Sequence, residues 1–225
     1  MAKLTYFSHS ACKIETQGKV ILIDPFLDDN PTAPVKSKDV TADYIIITHA
    51  HGDHLGDAVS IAKASQATVI TNFEIANWCG KKGVNAHPMH IGGSHTFPFG
   101  KVKLTQAFHG SSFPDGGYGG MPTGVLLTIE GKTIYHAGDT GLFGDMKLIG
   151  ELNPIDIALI PIGDNFTMGM SDAIKAVEFL KPKKVIPIHY KTFDVIDTDP
   201  ASFVEKSKEL GVEAQFLEYG QTIEF

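Results

Sequence analysis

The chain contains no arginine, and all 19 of its basic residues are lysines. Its formal net charge is −7 at pH 7. Arginine is the residue best suited to bidentate contacts with phosphate, and an acidic protein repels a nucleic-acid backbone. The composition therefore predicts no nucleic-acid partner and disfavours a nuclease. Any phosphate recognition would have to come from a metal ion, lysine, histidine or backbone N–H groups.

Cysteine and long apolar runs are also scarce. Only Cys12 and Cys79 are present, far apart and outside any CxxC pattern, which excludes a disulfide framework or a thiolate metal site. The first residues, Met1 to His9, lack the apolar core of a signal peptide, and no stretch is long enough to cross a bilayer. We therefore expect a cytoplasmic location and no membrane partner.

The remaining composition is that of an ordinary globular protein. The 225 residues are 43% hydrophobic and 20% charged, without repeats, low-complexity tracts or a linker-like segment. A chain of this length can bury a large core, and we predict a single domain over residues 1–225. Short strands outnumber helices in the pattern, which predicts an α+β fold with sheets packed on each other and helices on the outer faces.

The predicted elements follow alternation, helical periodicity and turn residues. Predicted strands cover residues 4–7, 11–14, 20–23, 44–47, 102–108, 124–129, 132–135, 157–162 and 184–188, and the chain ends with a closing strand pair. Predicted helices cover residues 55–64, 143–150, 171–180 and 200–210. Another helix, with Thr71 and Glu74 in capping-box spacing, would stop near Gly80. Residues 85–100 are predicted to be a loop with at most short strands, which makes His87, His90 and His95 loop histidines.

The most informative segment is His49-Ala50-His51-Gly52-Asp53-His54, which directly follows the apolar run of residues 44–47. Three imidazoles and a carboxylate at the end of a buried strand would be costly to desolvate, whereas a divalent cation makes them satisfied ligands. His49 and His51 are two residues apart and project to one side of an extended segment, which excludes a helical zincin motif. Asp53 is also compatible with a helix N-cap.

Three further potential ligands follow apolar strands. His109, Asp139 and His189 each come at or just after the end of a predicted strand. Loops at one end of a set of strands commonly build one site, so we expect these residues to meet the histidine segment. Asp139-Thr140-Gly141 also matches the aspartic-protease signature, but that chemistry requires two carboxylates sharing a proton, and no second Asp-Thr-Gly occurs.

The segment from His49 to His54 resembles the HxHxDH motif of the metallo-β-lactamase superfamily, and His109, Asp139 and His189 occur in the expected order. The resemblance covers nearly the whole chain. Within the superfamily the chain resembles the small stand-alone hydrolases near the ascorbate-6-phosphate lactonases, through residues 6–10, 120–124, 161–163 and 166–168. This resemblance implies a four-layer αββα sandwich of two similar halves, with metal ions at one edge of the central sheets.

The resemblance also implies a role for each matching residue. His49, His51 and His109 would hold one metal ion, Asp53, His54 and His189 a second, and Asp139 would bridge the two. Asp24, after the strand of residues 20–23, would support the histidine loop from outside the ligand set. His9 and Asp164 both follow apolar strands, and each is a candidate to face substrate or to donate a proton, although a plain structural role is equally compatible with their positions.

These residues predict a metal-dependent hydrolase with two divalent ions. A metal-bound hydroxide, oriented by Asp53, would attack the substrate, with Asp139 between the ions. The predicted substrate is a small, anionic ester, lactone or phosphorylated metabolite. Imidazole and carboxylate ligands favour zinc and also suit manganese, iron or nickel. The alternatives are a non-haem di-iron redox protein, which usually has glutamate at the position of His51, and a metal-dependent binding module without turnover.

Overall fold

Two seven-stranded β-sheets form the centre of the computed structural model, which describes residues 1–225. The strands are β1 Lys3–Ser8, β2 Ala11–Thr16, β3 Lys19–Ile23, β4 Tyr44–Ile46, β5 Thr68–Asn72, β6 Ala86–Met89, β7 Ser94–Phe97, β8 Gly100–Gln106, β9 Thr123–Ile129, β10 Lys132–His136, β11 Ile157–Pro161, β12 Lys184–Ile188, β13 Glu213–Ala214 and β14 Thr222–Glu224. The first sheet has the order β14-β1-β2-β3-β4-β5-β6, and the second has the order β13-β12-β11-β10-β9-β8-β7.

Both sheets repeat one topology. Strands β1 to β3 are antiparallel and β3 to β6 are parallel, while β8 to β10 are antiparallel and β10 to β13 are parallel. The register repeats as well, because Ile21 pairs with Tyr44 between β3 and β4 as Ile134 pairs with Ile157 between β10 and β11. The chain therefore consists of two similar halves, in which β1 to β6 of the first sheet correspond to β8 to β13 of the second.

An aspartate marks the start of the equivalent strand in each half. Asp43 precedes β4 and accepts hydrogen bonds from the N–H of Val20 and from Lys19 Nζ. Asp156 precedes β11 and accepts from the N–H of Thr133 and from Lys183 Nζ. The two halves thus use the same local device to join a parallel strand to its neighbour.

Helices cover the outer faces of the sheets. They are α1 Gly52–Leu55, α2 Ala58–Ser65, α3 Phe73–Lys81, α4 Met146–Leu152, α5 Met170–Leu180 and α6 Pro200–Glu209, with 3₁₀ turns at Ser37–Asp39 and Asp194–Ile196. Alternate residues of β4 separate the layers, because Ile46 joins the core shared by the two sheets, whereas Ile45 packs in the core formed with α2 and α3. The predicted αββα sandwich is confirmed. No helix has the combination of length and apolarity required to span a bilayer.

Several predicted elements differ from the structure. The helix predicted over 55–64 begins later, as α2 at Ala58, and is preceded by the separate helix α1. Gly56 lies between them with φ +39°, and a Cβ there would lie 2.6 Å from the carbonyl oxygen of Pro25. Strand β5 was absent from the prediction. The cap of α3 is Asn72, whose side chain accepts from the Ile75 N–H, while the Thr71 hydroxyl donates to the carbonyl of Ile47.

The end and the middle of the chain also differ. The predicted closing strand pair is wrong, because β13 joins the second sheet beside β12 and β14 joins the first sheet beside β1. Two of the histidines predicted to be in a loop lie on strands, His87 on β6 and His95 on β7, with ring centroids 4.3 Å apart. His90 lies between the two strands. Strand β6 forms by parallel pairing with β5 across helix α3, and β7 forms a local hairpin with β8, so both are short edge strands that depend on their neighbours.

Candidate metal centre

The carboxyl ends of the central strands meet at one edge of the two sheets. The chain leaves β4 in extended conformation, and His51 is the N-cap of the four-residue helix α1, with φ −60° and ψ 149°. This places His49 and His51 before the helix and Asp53 and His54 within it, so Asp53 is not the N-cap. His109 follows β8, Asp139 follows β10 and His189 follows β12.

The first cluster contains His49, His51 and His109, whose ligand atoms all lie within 4.8 Å of one another. His51 Nδ1 is 3.0 Å from His49 Nε2 and 3.2 Å from His109 Nε2. Burial lowers the pKa of all three imidazoles, and the pKa of His49 lies well below its ordinary value because the charge of His54 adds to the effect of burial. Neutral imidazoles are the form that binds a metal ion.

The second cluster contains Asp53, His54 and His189, together with His9, and again the ligand atoms lie within 4.8 Å of one another. His54 and His189 are buried, whereas the side chain of Asp53 is 30% exposed. Burial alone would raise the pKa of Asp53. The charge of His54 and the hydrogen bond from His9 outweigh this effect and hold the pKa of Asp53 below its ordinary value. Asp53 is therefore the charged member of this cluster that solvent reaches.

Asp139 lies between the two clusters. Its Oδ2 is 3.0 Å from His189 Nε2, 3.2 Å from His54 Nε2 and 3.6 Å from His109 Nε2. Burial opposes its ionisation, yet His189 and His54 hold the pKa of Asp139 well below its ordinary value. Burial likewise opposes the charge of His54, but Asp139 and Asp24 outweigh it and raise the pKa of His54. One carboxylate oxygen of Asp139 therefore lies close to imidazole nitrogens of both clusters.

Buried polar atoms without hydrogen-bond partners test whether these residues fit metal ions. His54 Nε2, His189 Nε2 and Asp139 Oδ1 are all buried and make no hydrogen bond of acceptable geometry. Buried polar atoms are normally paired, and leaving one unpaired costs roughly 1–3 kcal/mol. Coordination of divalent cations satisfies all three atoms at once. The donor set, imidazole with carboxylate and no thiolate, therefore fits divalent metal ions.

A buried aspartate supports the histidine segment from behind. Asp24 Oδ1 accepts from the Thr48 N–H at 2.8 Å, and its Oδ2 accepts from the Thr48 hydroxyl at 2.6 Å and from His54 Nδ1 at 2.8 Å. The Nδ1–H of His54 is therefore committed to Asp24, which leaves Nε2 directed at Asp139. Such carboxylate–histidine pairs fix ring orientation in metal sites.

The two remaining candidates occupy different environments. His9 is fully buried, with Nε2 3.2 Å from Asp53 Oδ2 and Nδ1 3.0 Å from Thr192 Oγ1. Asp164 is exposed in a turn with φ +60°, its Oδ1 accepts from the N–H of Asn165, and it makes no hydrogen bond to the candidate ligands. The structure thus brings His9 into the cluster and leaves Asp164 outside it.

Thr48, Thr192 and Gly163 contribute to the site and were missed in the sequence. Thr48 stands directly before the histidine segment, which is a usable local signal, whereas Thr192 contacts a residue 183 positions away. Gly163 follows β11, and a Cβ there would lie 2.3 Å from the carbonyl oxygen of His189 and 3.2 Å from its Nδ1. The close approach of this turn to His189 explains the glycine in the segment Pro161-Ile162-Gly163.

Comparisons with known proteins identify the family of the chain. Residues 19–190 match the family model described as a β-lactamase superfamily domain. The chain belongs to the metallo-β-lactamase superfamily.

Relatives within that superfamily are metal-dependent hydrolases by name. The chain is 57% identical to a UPF0173 metal-dependent hydrolase of Bacillus mycoides, over 99% of both chains, and 57% identical to one of Bacillus cereus, over 98% of this chain and 99% of the relative. It is also similar to the solved structure of Igni18, a metallo hydrolase from Ignicoccus hospitalis, with 39% identity, a TM-score of 0.91 and coverage of 100% and 99%. The predictions of this superfamily and of a metal-dependent hydrolase are thereby confirmed.

Proposed function

We propose that the chain hydrolyses a small ester, lactone or phosphorylated metabolite with two divalent metal ions held by the seven candidate ligands. His49, His51 and His109 would hold one ion, Asp53, His54 and His189 would hold the other, and Asp139 lies where it could serve both. Zinc is the favoured metal, with manganese, iron and nickel also compatible with the ligands. The observation that carries the proposal is the position of Asp139 Oδ2 within 3.6 Å of nitrogens from both clusters.

Bound divalent ions supply an activated water and Lewis acidity at neutral pH. The residues of the chain orient the reaction around that chemistry. Asp53 is ionised and partly exposed, so it can accept a hydrogen bond from the attacking water. His51 and His109 are also only partly buried, which leaves the site open to a substrate between the two clusters.

His9 and Asp164 are less suited to protonating the leaving group. The ring of His9 is fully buried and both of its nitrogens have partners, so a substrate cannot reach it without displacing Asp53 or Thr192. Asp164 is engaged in its own turn. We therefore propose that the leaving group receives its proton from solvent water in the open site. The substrate is proposed to be anionic, because two divalent ions would make the site locally cationic although the chain is acidic.

The test combines elemental analysis with activity. Protein purified without added metal is analysed for its metal content and then assayed against lactone, thioester, β-lactam and phosphodiester substrates, before chelation, after chelation and after return of zinc or manganese. We expect about two ions per chain and turnover that is lost on chelation and restored by metal. Turnover that survives complete chelation would refute the proposal, and an iron absorbance with oxygen consumption would favour the redox alternative.

A further inference from the structure

His9 stands at a position that the ligand set does not explain. It follows β1 with a left-handed backbone, φ +56°, and its ring is fully buried. Phe26 and Phe193 enclose the ring, with centroids 5.8 Å and 5.5 Å away. Non-glycine residues with positive φ are uncommon and cluster at functional sites, where the surrounding structure holds them. A buried histidine with a strained backbone, beside candidate metal ligands, is therefore a candidate functional residue.

The hydrogen bonds of the ring determine which nitrogen carries the proton. The Thr192 hydroxyl has two acceptors in reach, His9 Nδ1 at 3.0 Å and the carbonyl of Tyr190 at 3.4 Å. Donation to Nδ1 is the shorter bond and places the ring proton on Nε2, where it is donated to Asp53 Oδ2 at 3.2 Å. The opposite tautomer would direct a bare Nε2 lone pair at a carboxylate, so it is disfavoured.

The main chain of His9 contacts a second candidate ligand. Its carbonyl oxygen accepts from the backbone N–H of His189 and from the Tyr6 hydroxyl, at 2.6 Å and 3.0 Å. The rings of His9 and His189 lie 4.0 Å apart. One residue at the end of β1 thus fixes the Asp53 side chain and the His189 backbone, which come from different sheets.

In the second half of the fold, a candidate ligand follows the strand that is equivalent to β1. β1 and β8 are equivalent strands, and His9 follows the first as His109 follows the second. His109 presents Nε2 to its cluster without an acidic partner closer than 3.6 Å, whereas His9 Nε2 is occupied by Asp53. The two histidines therefore follow equivalent strands but differ in what their Nε2 atoms are free to bind: His9 comes directly after β1, and His109 comes three residues after β8.

We propose that His9 is a positioning residue for the second cluster and not a metal ligand. Through Nε2–H it fixes Oδ2 of Asp53, which leaves Oδ1 available for a metal ion, and through its carbonyl it fixes His189. This inference rests on the proposed two-ion site. Loss of the His9 side chain frees the Asp53 carboxylate to rotate and should weaken only the ion held by Asp53, His54 and His189.

Metal titration of variants tests the proposal. Chelated wild type, His9→Gln, Thr192→Val and Thr192→Ser are titrated with zinc against a competing chelator, with circular dichroism confirming the fold. We expect His9→Gln to lower the affinity for one of the two bound zinc equivalents by about 10–100-fold and to leave the affinity for the other unchanged. A loss of this size is typical of groups that orient metal ligands. Thr192→Val should weaken the same equivalent less, and Thr192→Ser, which keeps the hydroxyl, should match wild type.

His136→Gln is the matched control for loss of a buried imidazole. His136 is fully buried near the site, but its partners are the Ser10 carbonyl and the Gly138 N–H, and it bonds no candidate ligand. Gln can still donate to Ser10, so both equivalents should bind as in wild type. Equal weakening by His136→Gln and His9→Gln, or unchanged binding of both equivalents in His9→Gln, would overturn the proposal.

Nitrogen NMR of ¹⁵N-histidine-labelled protein gives a readout that does not depend on turnover or on folding of a variant. In metal-free protein at pH 7, His9 should be the Nε2–H tautomer, and it should keep this proton after zinc is added. An Nδ1–H tautomer would leave His9 without the Nε2 proton that it donates to Asp53, and a zinc-dependent loss of the Nε2 proton would make His9 a ligand. Either result would refute the positioning role. Absence of hydrolysis by wild type would refute the proposed function but leave this result interpretable.

Discussion

The two halves of the molecule share one topology but supply the candidate metal centre in different ways. The first half concentrates four candidate ligands in the single turn after β4, His49, His51, Asp53 and His54. The second half supplies one ligand after each of three strands, His109 after β8, Asp139 after β10 and His189 after β12. A repeated scaffold therefore does not imply a repeated site, because the loops carry the chemistry and the strands only bring them together.

The aspartates that follow equivalent strands show the same divergence. Asp24 follows β3, and Asp139 follows β10. The side chain of Asp24 accepts hydrogen bonds from Thr48 and from His54 Nδ1, which makes it a support behind the candidate ligands. Asp139 instead faces three imidazole nitrogens and retains a buried oxygen without a partner. The surroundings of each carboxylate, and not its place in the repeat, set its role.

The largest effect is expected at Asp139. Asp139→Asn keeps the shape but removes the charge between the clusters, so turnover should fall by more than about 100-fold, beyond the loss typical of groups outside the ligand set. Zinc binding should weaken at both positions. The measurement is kcat/KM with metal titration, and full activity in Asp139→Asn would contradict the assignment of a bridging role.

A smaller and more local effect is expected at Asp24. Asp24→Asn removes the carboxylate charge and replaces one of its two acceptor oxygens with an NH2 group, so either Thr48 N–H or His54 Nδ1–H loses its acceptor. It should weaken binding of the ion proposed for the second cluster by about 10–100-fold, with less effect on the first. Asp28→Asn is the control, because Asp28 bonds Ser37 in the same loop region and touches no candidate ligand. If Asp24→Asn and Asp28→Asn bind zinc equally well, Asp24 does not support the ligands.

The turn after β11, the strand equivalent to β4, is expected to be sensitive to added volume. Gly163→Ala places a Cβ against the His189 carbonyl and should cost about 1–3 kcal/mol of unfolding free energy, with weaker metal binding as His189 moves. Gly144→Ala is the matched control, because nothing lies within 4 Å of a Cβ at that position. Urea unfolding measures the difference, and equal stability of the two variants would count against close packing on His189.

The smallest effects are expected from the repeated aspartates at the opposite end of the strands. The hydrogen bond from Lys19 lowers the pKa of Asp43, and for Asp156 the bonds from Lys183 and Thr133 outweigh burial and also lower the pKa. A lowered folded-state pKa gives stabilisation that is present above about pH 4 and is lost as pH falls through the folded-state value.

Asp43→Asn and Asp156→Asn should therefore each lower Tm by about 1–3 °C at pH 7, and the difference from wild type should shrink toward pH 3. Asp29→Asn, at a residue that makes no side-chain hydrogen bond, serves as the control. A difference in Tm from wild type that grows on acidification would contradict the predicted direction of the pH dependence.

Much of the architecture was readable from the sequence where local pattern and tertiary structure agree. The strands of residues 184–188 and the helix α5 fell where alternation and periodicity placed them. Histidine spacing identified the segment from His49 to His54, since few environments other than a metal site satisfy so many ligands together.

The remaining features depend on contacts between distant residues. The break at Gly56 arises from the close approach of Pro25, and β14 pairs with β1 from the other end of the chain. Thr192 supports His9 across 183 positions. The two halves repeat the same strand pairing but not the same residues, so the repeat could not be detected as internal sequence similarity.

The most direct test of the account is anomalous X-ray diffraction from crystals of the protein loaded with zinc. The arrangement of the strand ends predicts two peaks, one among His49, His51 and His109 and the other among Asp53, His54 and His189, with Asp139 between them. A single peak outside these clusters, such as at the His87 and His95 pair, or no peak under saturating zinc, would contradict a two-ion centre built by the two halves.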